Sequence, residues 1–537
     1  MQNMVAKLST TGTPGSFRRS PLIALGFLIF FVVAAWKTAN YVIAGDMTSL
    51  ALVALAFVGG AIALAILNNW RDGLYFFLAW LLFEDFARKY LGNNMALYFA
   101  KDVLAAVVYL SFFLAYRRKL VTPFRPPFLV PILIFVWFGI MQVFNPASTH
   151  LIYGVLGVKL FFYYVPLLFV GYALLNSEAE LRRFFFVNMI LAMIIVSLGI
   201  AQAIIGHTFL NPAVVADDIR ALSTLYRVAP ISGLTLYRPN SVFVSTGRFG
   251  NFLLVTWLLV FGFSGYLLLR HKRGRALAFV ALVLTVAALA LCSSRGVVLW
   301  CSGSAIVGVA AFVWGAPWRQ REVVRVMRTA QRAALGIALG IGLLFFIFPD
   351  ALLSRVAFYK ETLTPGSSAS ELQTRTWDYP LTNFLGAFGY ERWPYGYGIG
   401  TSSLGLGTQY VARIFHAPPP TVGVESGFGT LVIEMGIGGL ILWFVMSFAI
   451  LFSAWRVVKK LRGSPWFPLA FVIFWYAGLL LFPMTFAGMA TYEDFVLNAY
   501  LWLLLGILFR LPTLAVSSQY AATAQPSPMY NPQIRMR

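Results

Sequence analysis

The stretch Leu431-Val-Ile-Glu434-Met-Gly436-Ile-Gly-Gly-Leu-Ile-Leu-Trp-Phe-Val-Met446 decides the fold. It lies inside an apolar run from about residue 426 to 454, longer than the ~20 residues a helix needs to cross a bilayer. Working outward, apolar runs of spanning or near-spanning length recur at 21–43, 48–67, 73–87, 102–116, 127–143, 153–175, 184–206, 250–269, 276–293, 296–314, 333–349, 466–486 and 494–509. With 426–454 they make about fourteen spans by the length rule. The 537-residue chain is 60% hydrophobic and 11% charged, with a mean hydropathy of +0.78. These values exclude an ordinary soluble protein and predict an all-α polytopic membrane protein. The 49 Phe, 24 Tyr and 15 Trp suit lipid-facing surfaces and interfacial belts. Two cysteines, Cys292 and Cys301, supply neither a disulfide framework nor a metal cluster and read as small packing residues.

An even number of spans puts both termini on one side. That side collects the N-terminal tail, the Arg71 turn, Arg117–Arg125, Arg182 and Arg183, Arg270–Arg275, Arg319–Arg332, Arg456–Arg462 and the C-terminal tail. Its only acids are Asp72, Glu178, Glu180 and Glu322, so the whole formal charge of +22 falls on one face. The positive-inside rule makes that face cytoplasmic. Short basic loop clusters between helices fit anionic membrane lipids and leave no case for nucleic acid. The first span is too long, and too closely followed by another, for a cleaved signal peptide. Residues 1–20 and 512–537 read as disordered cytoplasmic tails. Membrane helices fill 21–349 and 426–511, interrupted by two long extracytoplasmic loops, 207–249 and 350–425.

Long loops with dispersed charge and aromatics are where function tends to sit. The first contains Asp217, Asp218, Arg220, Arg227, Tyr237-Arg238-Pro239 and Gly247-Arg248-Phe249-Gly250. The second carries Glu371-Leu-Gln-Thr-Arg375-Thr-Trp377, Gly396-Tyr-Gly-Ile-Gly-Thr401, His416 and Glu425. Ser368-Ala-Ser-Glu371 fits a capping box, opening a short amphipathic helix that runs to about Leu385. Leu372, Leu381, Phe384 and Leu385 form its apolar stripe, and Gly386 and Gly389 end it. Gly396–Gly400 reads as a flexible turn, on the wrong side of the membrane for a nucleotide.

Arg375-Thr-Trp377, Gly396-Tyr-Gly398-Ile-Gly400-Thr401 and Glu434-Met-Gly436 follow one another in a telling order. In this the chain resembles the O-antigen ligase and polysaccharide polymerase superfamily of bacterial envelope membrane proteins. Ser294-Arg295-Gly296 is similar to the Ser-Arg-Gly element that often precedes the loop in that family. Lys101-Asp102 and Phe144-Asn145-Pro146, with Gly154–Pro166, resemble its exopolysaccharide-type members. One departure stands out. Where ligases carry a His-Asn pair nine residues before Glu-x-Gly, this chain has Glu425, and His416 lies nine residues further upstream. The departure tilts the resemblance toward a polymerase.

The resemblance implies a GT-C-like membrane glycosyltransferase of about 12–14 transmembrane helices with a large extracytoplasmic catalytic loop. Its expected place is the bacterial inner membrane, with the active site facing the periplasm or exterior. The implied reaction moves glycan from a polyprenyl-diphosphate-linked oligosaccharide to a sugar hydroxyl, joining exopolysaccharide or O-antigen repeat units. The implied partners are that donor, a glycan or lipid A acceptor, membrane lipids and a chain-length regulator. Two rivals stand beside it: a ligase that moves finished glycan to lipid A, and a flippase or exporter of the same lipid-linked oligosaccharide. Alternating access calls for charges inside the spans, and only Lys37 and Lys159 read that way.

Such a transfer has two physical needs. Fixed cations must meet the charge developing on the departing diphosphate, and arginine forks suit phosphate oxygens. Arg295 is the first choice, followed by Arg238, Arg248 and Arg375; the competing readings are snorkelling, interfacial anchoring and a solvated helix face. A base must also take the acceptor hydroxyl's proton. Glu425, at the entry to a membrane helix, and His416 are the two choices, against a helix cap and an incidental loop histidine. Glu434, two turns into its helix, reads as a buried structural acceptor. Asp217-Asp218, Glu84-Asp85 and Glu493-Asp494 are oxygen-ligand pairs without a nearby His or third acid, so the reaction is expected to need neither metal nor cofactor.

Overall fold

A computed structural model describes residues 47–91, 95–212, 226–271, 273–317, 320–365, 370–404, 414–419, 421–488 and 493–523. The expected span at 21–43, Lys37, Asp217-Asp218 and Ser368 lie outside them. Residues 1–69 and 70–537 form two units. In the first, helix α1 (Met47–Asn68) occupies the run expected at 48–67.

The second unit is a helical assembly. In chain order it contains α2 (Trp70–Leu91), α3 (Met95–Arg117), α4 (Leu129–Gln142), α5 (Leu151–Phe162), α6 (Leu167–Leu174) and α7 (Glu178–Ile205). A hairpin of β1 (Tyr226–Val228) and β2 (Thr235–Tyr237) follows, antiparallel with Arg227 opposite Leu236. Then come α8 (Thr246–Arg270), α9 (Arg275–Leu291), α10 (Arg295–Gly315), α11 (Gln320–Ile347) and α12 (Pro349–Leu363). The chain closes with α13 (Tyr379–Gly386), α14 (Gly427–Lys460), α15 (Phe467–Leu479) and α16 (Phe495–Thr523).

Among the described residues, eight helical stretches are long and apolar enough to cross a membrane, α5 and α6 counting as one and α15 running on to Met484. A ninth span results if the second half of α11 and α12, bent by 113° at Phe348, count together. The protein is thus an all-α polytopic membrane protein, and every expected run within the described residues forms helix. Length and charge both reduce the count: α4 and α9 are apolar but only 14 and 17 residues long. α2 has 22 residues but carries Glu84, Asp85, Arg88 and Lys89 on its second half.

Contacts between distant loops sort the helix ends of this unit into two sets. At one end Glu178 accepts from Tyr266 Oη (2.5 Å) and Arg270 (3.2 Å) and meets His271 (2.6 Å). Arg71 reaches Glu180 at 3.3 Å, and Gly463 N donates to Gly315 O at 2.8 Å. At the other end lie the first turns of α8, α10, α14 and α16. There Asn251 donates to Asp494 (2.6 Å), and Ser426 Oγ donates to Phe486 O (3.2 Å). The basic loops gather at the first end, while the long loop packs against the second.

Candidate active site

The second end is built around the turn into α10. Ser293 adopts the left-handed region (φ 52), turning the chain back after α9. Arg355 of α12, only 4% exposed, fastens this turn. Its guanidinium donates to the carbonyls of Leu291 (3.0 Å), Ala351 (2.6 Å) and Tyr237 (3.3 Å) and to Ser293 Oγ (3.2 Å). The clamp brings the hairpin and α12 onto the first residue of α10, which is Arg295.

A cavity of about 720 Å³ opens at that point. Arg227, Arg295 and Arg375 line it together with Glu371. The Glu371 carboxylate bridges two of them, meeting Arg295 Nη1 at 2.6 Å and Arg375 Nε at 3.3 Å. The guanidinium of Arg295 also lies 5.3 Å from the centre of the Phe358 ring. Crowded cations disfavour their own charge. Burial first, then Arg295 and Arg238, push Arg227 down to about 10. Burial alone would raise Glu371, but Arg295 and then Arg375 outweigh it and hold the carboxyl below its usual range.

The cavity wall continues down α10 through Gly296, Leu299, Trp300 and Gly303 to Val307, facing Trp475, Leu479 and Pro483 on the α15 side. From Arg295 to Val307 the helix descends about 18 Å at 1.5 Å per residue. Gly296 and Gly303 leave open space where a Cβ would stand. Trp475 satisfies its indole N–H on Ser304 Oγ at 3.0 Å, so its ring faces the trench without a stranded donor.

Glu425 sits beside the cavity rim. Ser426 Oγ accepts from Gly429 N (3.4 Å) and caps α14, so Glu425 is not the cap. Its own backbone packs on Gly488, while Phe486 lines the cavity. Tyr379 Oη donates to the Glu425 carboxylate, and the Glu425 N–H donates to Asn383 Oδ1 at 3.2 Å. The Arg375 guanidinium lies 5.1 Å from the centre of the Tyr379 ring. A continuous chain therefore runs Arg295–Glu371–Arg375–Tyr379–Glu425. The bond to Glu425 is also the main reason the Tyr379 phenol rises above its usual range.

His416 belongs to another neighbourhood. It is exposed, adopts φ 54, and precedes Ala417, which packs against Tyr153 and Leu404. Tyr153 Oη donates to Pro418 O at 2.6 Å. Arg238 lies within electrostatic reach of Arg295 but is not among the lining residues; burial chiefly, and Arg295 after it, lower its pKa. Arg248 pairs with Asp85 at 2.7 Å. It joins a buried ionic cluster in which Lys101 meets Glu84 (3.0 Å), Arg88 meets Asp85 (3.0 Å) and Lys159 meets Asp102 (2.7 Å). Charges inside the helices thus extend well beyond Lys159, which corrects the sequence-based count. The pair Glu84-Asp85 is held by these cations. Asp494 caps α16, accepting from Val496 N (2.9 Å) and Leu497 N (3.1 Å).

The glycine-rich turn is locked, not flexible. Gly436 (φ 68, ψ −173) breaks α14, leaving carbonyls of the preceding turn without helical partners. The loop supplies them: Tyr397 N donates to Ile433 O (2.7 Å) and Gly398 N to Glu434 O (3.0 Å). Glu434 Oε1 accepts from Ser402 N (2.8 Å) and Ser403 N (2.6 Å), the structural role expected of it. A Cβ on Gly400 (φ 85) would lie 2.1 Å from Tyr153 O. Gly400→Ala is expected to cost about 1–3 kcal/mol from backbone conformation alone. Its melting temperature in detergent should fall, and an unshifted value would mean the loop is not locked.

Two contributors escaped the sequence reading of the site. Arg227 was visible as a loop cation, but its place depends on the hairpin. Tyr379 stands four residues after Arg375, on the same helical face, and that spacing was the available signal. Compared with protein-family models and with curated proteins, the chain matches none.

Proposed function

We propose that this protein transfers a glycan from a polyprenyl diphosphate carrier to a sugar hydroxyl on the extracytoplasmic side of a bacterial inner membrane. One observation carries the reading: a single cavity has three guanidiniums at its mouth and an apolar trench descending along α10. That is the shape and polarity of an anionic head on a hydrocarbon tail. The basic loops at the opposite end support an outward-facing mouth, by the positive-inside rule. Arg295, Arg375 and Arg227 would take the diphosphate, with Arg238 adding field from behind. The acceptor oxygen attacks the anomeric carbon, the carbon–phosphate-oxygen bond breaks with its electrons leaving on the diphosphate, and the hydroxyl proton passes to Glu425. Polymerisation of repeat units is the version favoured by the sequence resemblance, and ligation to lipid A is the same chemistry with another acceptor.

The reading is tested with purified protein, a synthetic polyprenyl-diphosphate oligosaccharide and a glycan acceptor. Longer glycan and free polyprenyl diphosphate are the expected products. Gly303→Phe fills the trench without a clash at Cβ, and should depress turnover of long-chain donors more than that of short-chain ones. Equal turnover at all chain lengths would remove the tail from the trench. The buried ionic cluster of α2, α3 and α5 favours one second reading, a flippase. Translocation of the donor in vesicles with no bond formed would establish it.

A further inference from the structure

Glu371 is the one carboxylate among the described residues that line the cavity, and it stands where an anionic ligand would be expected to stand. Each of its oxygens meets a different arginine, so it holds Arg295 and Arg375 as a phosphate group would. Its backbone is fixed: the N–H donates to Thr362 O (3.1 Å), and the carbonyl accepts from Arg375 N (2.8 Å). The side chain keeps 34% of its surface, against 9% for Arg295. A fixed backbone with an accessible carboxylate permits the side chain to be displaced while the loop stays in place. The capping box suggested by sequence would have turned this carboxylate back toward Ser368; it turns to the arginines instead.

The charge arithmetic gives the bridge a consequence. Three guanidiniums face one carboxylate in the lining, so the cavity carries an excess of two positive charges. A glycosylated prenyl diphosphate is a diester with one acidic proton lost from each phosphate. Once the sugar has left, the terminal phosphate can lose another proton near neutrality. Bare arginines would then hold the product more tightly than the substrate, and the enzyme would stall. A resident carboxylate opposes the more highly charged species more strongly.

We infer that Glu371 is a specificity-determining residue that discriminates between donor and product, favouring the glycosylated diester over the freed prenyl diphosphate and so speeding product release. The inference rests on the glycan-transfer reading above and names how that site discharges its product. Neither an ion-pair scaffold nor a simple helix cap would discriminate by ligand charge.

The test measures binding of farnesyl diphosphate and of its sugar diester to the full-length protein in detergent. Glu371→Gln is expected to bind farnesyl diphosphate about tenfold tighter than wild type, and the diester by a smaller factor. Glu371→Asp, which keeps the charge, should restore the wild-type ratio of the two affinities. In turnover assays Glu371→Gln should show a burst followed by a slow phase inhibited by added farnesyl diphosphate. Weaker or unchanged binding of farnesyl diphosphate by Glu371→Gln would overturn the inference while leaving the transfer reading intact, because Glu371 would then only position the arginines. Failure of both proteins to bind either ligand would sink the inference and the transfer reading together.

Discussion

Arg295→Ala is expected to lower turnover about 100-fold or more, measured as polyprenyl diphosphate released from a synthetic lipid-linked oligosaccharide. The residue is the first of α10 and is 8% exposed, so its charge acts where water screens it little. Its position is set from three sides, by the Arg355 clamp on the preceding turn, by Glu371 and by the ring of Phe358. Once Glu371 has yielded to the diphosphate, a donor still held by the clamp and the ring needs no further rearrangement as charge grows on the departing phosphate oxygen. The loss should therefore fall mainly on kcat. Arg295→Lys should recover only part of it, because a point charge replaces a planar fork. The fold should survive, since Glu371 retains Arg375 and is itself one-third exposed. Loss of activity with an unshifted melting temperature is therefore the expected pair of results. Wild-type turnover in Arg295→Ala would remove this residue from the site.

The elements that hydropathy governs were legible in the chain, and those that depend on distant partners were not. Runs such as 250–269 and 296–314 became α8 and α10 because bilayer-length apolar sequence has few other solutions. Arg295 and Arg375 read as candidate diphosphate-binding cations because their motifs follow one another along the chain, and the structure lines one cavity with both. Arg248 looked equivalent from sequence. Its partner Asp85 lies 163 positions away, and no local pattern announces that pairing. Lys101 and Glu84 meet between two helices for the same reason. The glycine run was visible as a run, but its rigidity comes from the broken helix at Gly436, a tertiary fact. The amphipathic segment after Glu371 was foreseen as helix; the π-helical turn at Thr374–Asp378 within it was not. That turn precedes Tyr379, whose hydroxyl meets Glu425.

Glu425→Gln is expected to reduce turnover about 10²- to 10⁴-fold, the usual range for removing a general base, whereas His416→Ala should change it little. Both residues satisfied the sequence argument, and the difference between them is positional. Glu425 is joined through Tyr379 to the arginine whose partner carboxylate also holds Arg295. Its backbone rests on the segment that closes the cavity at Phe486. His416 lies on a stretch fastened to α5 through Tyr153 and Pro418, with no contact to that chain among the described residues. Tyr379→Phe separates two uses of the pair. If the phenol only orients the carboxylate, the variant should lose about tenfold, close to the worth of one hydrogen bond to a charged group. If the phenol relays the proton, the loss should approach that of Glu425→Gln. A fall in His416→Ala as deep as that of Glu425→Gln would require the 414–419 segment to reach the cavity during turnover, and would move the base from the carboxylate to the imidazole.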